Sequence, residues 1–126
     1  MTWVLDASAL LAFLHDEPGA DRVRQALDSA HVSTVNWAEV VQKSLGRQVN
    51  VVGMQEEFSE VGVVFEPFTP SQAELAAHLW KKTRRRGLSL ADRACLALAI
   101  EQEAAVLTAD RVWAELKLDV EIQLVR

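Results

Sequence analysis

The chain has 126 residues, half of them hydrophobic and a quarter charged, with 13 basic and 18 acidic side chains giving a net charge of -5. That composition excludes a disordered polar chain, and the length suffices to bury roughly two-thirds of the unfolded surface in one core. We therefore expect one domain spanning residues 1–126. The single cysteine, Cys95, excludes an internal disulfide, and no apolar run approaches a membrane span. The start MTWVLDAS lacks the features of a signal peptide, so the expected location is cytoplasmic.

In chain order, TWVL (2–5) predicts a short strand that runs straight into DASALLAFL, which has helical spacing and a cap in Asp6 or Ser8. EPG punctuates, ADRVRQALDSA predicts a second amphipathic helix, and the β-branched HVSTV (31–35) a second strand. A helix is expected from Asn36, a break at LGRQVN, and a short helix over MQEEFSEVG ending at Gly62. VVFEPF (63–68) predicts a third strand. TPSQAELAAHLWKKTRRRG predicts a helix with Pro70 and Ser71 at its start and Gly87 just past its basic end. The next helix runs from 89 to about 103 and is nearly all apolar, so it should lie inside the fold, anchored by Leu88, Leu90, Leu96, Leu98 and Ile100. AAVLTA predicts a fourth strand, DRVWAELK a short helix and VEIQLV a last strand. Alternating strands and helices imply an α/β fold, a three-layer α/β/α sandwich with a mostly parallel central sheet.

In such a sheet, ligands bind beyond the carboxyl ends of the strands. Four acids fall at those junctions or at helix starts: Asp6, Glu39, Asp92 and Asp110. Each has a local explanation. Asn36 to Glu39, Ser71 to Glu74 and Ser89 to Asp92 match the capping-box spacing, and Asp6 and Asp110 are good caps. Capping, however, does not require convergence. Two carboxylates about 5 Å apart repel by about 3 kcal/mol at an effective dielectric of 20, a cost that a divalent cation removes. An all-oxygen set suits Mg²⁺ or Mn²⁺, whereas His15, His31 and His78 show no paired zinc spacing. Ser8 and Thr108 stand beside two of the acids and could orient a carboxylate or a water, with local capping as the alternative.

VLDASALLAFL, STVNWAEVV, GLSLADRACLALA and VLTADRVWAEL, in this order and spacing, resemble the PIN domain, and within it the VapC-type toxins of bacterial type II toxin–antitoxin pairs. The resemblance covers essentially the whole chain. It implies a Mg²⁺- or Mn²⁺-dependent endoribonuclease with Asp6, Glu39, Asp92 and Asp110 as catalytic, metal-binding acids, and Ser8 and Thr108 in support. It also implies an RNA substrate, a VapB-type antitoxin whose C-terminal segment enters the acidic groove, and a homodimer. In that chemistry the cation activates water and stabilises an in-line displacement, leaving 5′-phosphate and 3′-hydroxyl ends.

Neutralising four carboxylates moves the net charge from -5 to -1, which leaves RNA binding open to a local basic patch. KKTRRR (81–86) is the main candidate. Arg84, Arg85 and Arg86, with Arg93 and Arg111 beside site acids, are the candidate substrate contacts; the alternative for the run is a basic helix end complementing the helix dipole. Trp3, Trp37, Trp80 and Trp113 are expected in core or dimer packing. Two competing functions are a receiver-type phosphorylation switch and a catalytically silent PIN-like binding protein. The first expects an acidic pair after the first strand and a lysine after the last, where this chain has only Asp6 and Arg126.

Overall fold

A computed structural model describes residues 1–126. Five parallel strands form one sheet, β1 (Trp3–Leu5), β2 (Ala30–Ser33), β3 (Val64–Glu66), β4 (Ala105–Thr108) and β5 (Ile122–Leu124), in the order β3-β2-β1-β4-β5. Six α-helices connect them: α1 (Ala7–Leu14), α2 (Ala20–Ala26), α3 (Thr34–Gly46), α4 (Met54–Glu60), α5 (Pro70–Thr83) and α6 (Leu90–Gln102). The sheet order differs from the 2-1-3-4-5 order of receiver-type proteins, which counts against the phosphorylation-switch alternative.

Side chains of a strand alternate between faces, and each face here has its own core. Trp3 and Leu5 of β1, with Val32 and Leu107, pack against Leu10, Val23, Val40 and Phe58 from α1 to α4. Val4 and Val106 turn the other way onto Ala76 and Leu79 of α5, Leu96 and Leu98 of α6, and Trp113. The sequence signal of α6 holds, since residues 94–99 are all buried. Leu90 does not anchor it: at the first position of the helix it is 54% exposed, facing solvent ahead of the buried turns.

Several boundaries differ from the expected ones. The second strand is Ala30–Ser33, and α3 begins at Thr34, because Ser33 accepts from the Val35 N–H at 3.2 Å and so caps the helix. Asn36 is therefore inside the first turn and Asn36–Glu39 is no capping box. The expected break at LGRQVN is present, since α3 ends at Gly46 with Arg47 at its C-cap. Ser71–Glu74 is no box either: Thr69 caps α5, accepting from the Gln72 N–H at 3.2 Å, and Ser71 lies inside the helix. At its other end α5 stops at Thr83, whose hydroxyl folds back to the Leu79 carbonyl at 2.9 Å. Arg84–Arg86 and Arg111–Glu115 are 3₁₀ turns rather than α-helix. No helix is long and apolar enough to cross a membrane.

Candidate active site

The chain connects β1 to β2 on one side of the sheet and reaches β4 on the other, so the strand order reverses at the β1–β4 seam. A crevice beyond the carboxyl ends of strands at such a reversal is where ligands bind in open α/β sheets. Leu5 pairs with Leu107, which sets Asp6 beside Thr108 at the mouth of that seam.

Asp6 is 4% exposed and caps α1. Its Oδ1 accepts from the Ala9 N–H at 2.9 Å, Thr108 Oγ1 donates to Oδ2 at 2.7 Å, and Ser8 Oγ donates across both oxygens at 2.8 and 2.9 Å. The two hydroxyls are themselves oriented. Ser8 Oγ accepts from the Ala109 N–H at 2.9 Å, and Thr108 Oγ1 accepts from the Asp110 N–H at 3.0 Å. With their acceptor sides occupied by amides, both hydroxyls direct their single proton at Asp6. Burial nevertheless pushes the Asp6 carboxyl from an ordinary 3.8 up to about 6, against the lowering effect of these donors, and the Asp92 charge adds a smaller push in the same direction.

Asp92 enters from α6. Gly87, at φ 70°, turns the chain from the arginine run toward this helix in a backbone region that other residues disfavour. Ser89 and Asp92 form a complete capping box, with Asp92 Oδ2 accepting from the Ser89 N–H at 2.9 Å and Ser89 Oγ from the Asp92 N–H at 3.1 Å. Glu39 is half-buried, one turn further into α3. Asp110 is exposed, and its Oδ1 caps the following 3₁₀ turn through the Val112 N–H at 3.0 Å. Capping occupies one oxygen of Asp92 and one of Asp110, which leaves the other oxygen of each without a protein donor. Both readings of these acids thus remain compatible in one geometry.

Cys95 shows how far the acids converge. It is fully buried, and its thiol is pushed well above the usual range by burial and then by the charges of Asp6, Asp92 and Glu39. Three of the four acids therefore act on one point in α6, while Asp110 meets this group only through its backbone N–H on Thr108, its carboxylate capping the next turn. They are not drawn into a closed shell: no three acidic, histidine or cysteine side chains stand in metal-holding proximity.

Two residues here escaped sequence reasoning. Asn36 is fully buried, and its Nδ2 donates to the Ala91 carbonyl at 3.0 Å, tying the helix of Glu39 to the helix of Asp92. Its Oδ1 is buried without a partner. The other is Cys95, whose position three residues after Asp92, on the same helical face, is the available signal.

The candidate substrate arginines divide. Arg93 turns away to the α5 backbone, donating to the Ala76 carbonyl at 2.9 Å, and Arg84 lies over the exposed Trp80 ring at 5.1 Å. Arg86 approaches Glu115 at 3.7 Å, and Arg85 and Arg111 are exposed. Trp3 and Trp113 are core residues, and Trp37 packs on Phe58 and Phe65. The roomiest depression, about 450 Å³, lies at the opposite, amino ends of the strands between Met1, Glu103, Ala105 and Glu121, away from this chemistry.

Solved structures of the same fold include the DNA-bound VapBC of Salmonella typhimurium (14% identity, 100% of this chain and 99% of that one, TM-score 0.74). A toxin–antitoxin complex from Klebsiella pneumoniae is similar at 15% identity over 99% and 98% of the chains, TM-score 0.75. VapC20 of Mycobacterium tuberculosis, described as a sarcin–ricin loop cleaving toxin, matches at 13% identity over 95% and 99%, TM-score 0.69. No curated protein matches the chain in sequence. The profile of the PIN domain matches residues 3–118, nearly the whole length, and the chain belongs to the PIN domain family.

Proposed function

We propose that this protein is a divalent-metal-dependent endoribonuclease acting as the toxin of a toxin–antitoxin pair. The observation that carries the reading is the buried Asp6, held by three donors at the β1–β4 seam while Asp92 and Glu39 converge on the same region of α6. A lone structural cap does not need two more carboxylates nearby, and the Asp92 charge adds to the cost of ionising Asp6, an effect that a bound cation would reverse. The donors are all oxygen, the chemistry of a Mg²⁺ or Mn²⁺ site. Asp6, Glu39, Asp92 and Asp110 would hold the ion, with Ser8 and Thr108 fixing the Asp6 carboxylate.

When bound, such a cation supplies charge neutralisation at a scissile phosphate and an activated water for in-line attack, leaving 5′-phosphate and 3′-hydroxyl ends. The chain's own contribution is positional. Thr108 and Ser8 hold Asp6 in one rotamer, the capping box holds Asp92, and Asn36 fixes α3 against α6. This rigidity matters because ligand misplacement is costly in catalysis. The toxin role, with a VapB-type antitoxin and a homodimer, is supported by the shared fold of toxin–antitoxin complexes from Salmonella typhimurium and Klebsiella pneumoniae.

The test is incubation of purified protein with total cellular RNA in Mn²⁺, in chelator, and as Asp6→Asn. Discrete metal-dependent fragments with 5′-phosphate ends, absent from the variant, are expected. Equal fragmentation by Asp6→Asn would defeat the assignment.

A further inference from the structure

A basic groove lies outside the acidic edge. Lys82, Arg85, Arg86, Glu115, Leu116 and Lys117 line one open depression of about 390 Å³. Its walls come from two segments: the end of α5 with the Arg84–Arg86 turn, and the end of the Arg111–Glu115 turn. The first segment leads through Gly87 into the capping box of Asp92, and the second begins at Asp110. The five-residue 3₁₀ turn rises about 2 Å per residue, so the groove lies about 10 Å along the chain from Asp110.

Lys82, Arg85 and Lys117 are exposed and have no acidic partner. Glu115 is the one acid, reaching Arg86 across 3.7 Å with both side chains about half exposed, a pairing that water and salt screen heavily. The surplus of cations is local in a chain whose net charge is -5, so a polyanion meets attraction here and repulsion over much of the remaining surface. Only Leu116 is apolar in the lining. A peptide partner generally needs apolar anchors for its side chains, whereas a phosphate backbone needs spaced point charges. Lysines and an unpaired arginine around an open groove match the second requirement.

We propose that this groove is a phosphate subsite for single-stranded RNA, formed by Lys82, Arg85 and Lys117 with Arg86 partly held back by Glu115. The inference rests on the ribonuclease reading above and adds where the substrate strand runs: from the acids, past Asp110, between the two turns. It also sorts the arginine run. Arg85 contacts RNA, while Arg84 is occupied with Trp80 and Arg93 with the α5 backbone.

The test uses full-length Asp6→Asn protein and a short unstructured RNA oligonucleotide, with affinity measured across a salt series. Arg85→Gln and Lys117→Gln should each weaken binding about three- to tenfold and reduce the magnitude of the salt slope by about 0.7 per lost phosphate contact. Glu115→Gln should act oppositely and tighten binding. Arg24→Gln, on the surface of α2, is the control for a nonspecific loss of charge. Unchanged affinity in Arg85→Gln, Lys117→Gln and Glu115→Gln would overturn the subsite, as would equal loss in Arg24→Gln. A parallel assay of metal-dependent cleavage by the unmodified protein separates the two claims. Cleavage with indifferent groove variants removes the subsite alone, and groove-dependent binding without cleavage removes the nuclease reading alone. Preference for an acidic peptide, with RNA failing to compete for the groove, would also overturn it.

Discussion

Thr108 Oγ1 donates to Asp6 Oδ2 at 2.7 Å, joining the ends of β4 and β1 across 102 residues of sequence. The same hydroxyl oxygen accepts from the Asp110 N–H, so it links the Asp6 carboxylate to the Asp110 backbone. Removing it in Thr108→Val leaves Asp6 Oδ2 with Ser8 as its one remaining donor and takes the acceptor from the Asp110 amide, at a cost of about 1–3 kcal/mol in unfolding free energy. Because this donor lowers the Asp6 pKa, its loss pushes that pKa further up. The acid limb of the RNA-cleavage pH profile should therefore move to higher pH. Thr108→Ser, which keeps both hydrogen bonds, should stay near the parent in both measurements.

Asp6 also sets a pH dependence of stability. Its carboxyl titrates at 3.8 ordinarily and at about 6 in the fold, so between those values the folded state binds more protons than the unfolded state. This contribution is fully present below about pH 4, falls as pH rises through about 6, and is absent above. A gap of that size corresponds to about 3 kcal/mol. In chelator, Asp6→Asn should thus melt above the parent at pH 7 to 8, and the difference should shrink or reverse near pH 4. A variant equally destabilised at every pH would show that the hydrogen bonds of Asp6 outweigh its burial cost.

Asn36 bridges α3 and α6 from a fully buried position. Asn36→Leu should cost about 0.5–1.5 kcal/mol through loss of the hydrogen bond between the helices, the Ala91 carbonyl lying within α6. Because Glu39 and Asp92 ride on those helices, the Mn²⁺ concentration giving half-maximal cleavage should also rise. A stability loss with unchanged metal dependence would make Asn36 purely structural.

Cys95 is buried and its thiol is kept protonated by burial and by the neighbouring acids. Thiol reagents act through the thiolate. The folded protein should resist alkylation at pH 8 and react only on denaturation. Rapid labelling of the native state would contradict the placement of this side chain.

Much of this arrangement was legible in the chain. The alternation of strands and helices gave the parallel sheet, and the four acids stood at or near strand-to-helix junctions. The apolar run through residues 94–99 marked α6 as buried. What stayed hidden depended on partners far away in sequence. Asn36 looked like a cap because its type and its spacing to Glu39 fit one. Its amide is instead taken by Ala91, 55 residues away, and Ser33 caps the helix. The arginines were equivalent in sequence and are separated only by what packs beside them: Trp80 under Arg84, the Ala76 carbonyl at Arg93, Glu115 near Arg86. Leu90 was assigned to the core by hydropathy, but it lies at the exposed first position of α6.

The central claim, that these acids form one cation site, is tested most directly by titrating metal-free protein with Mn²⁺ and following both calorimetric binding and the melting temperature. Binding should raise the melting temperature, by the equivalent of about 2.7 kcal/mol at a hundredfold excess over the dissociation constant, and Asp6→Asn and Asp92→Asn should each weaken it strongly. Undiminished Mn²⁺ binding in both variants, or no binding to the parent protein, would contradict the account.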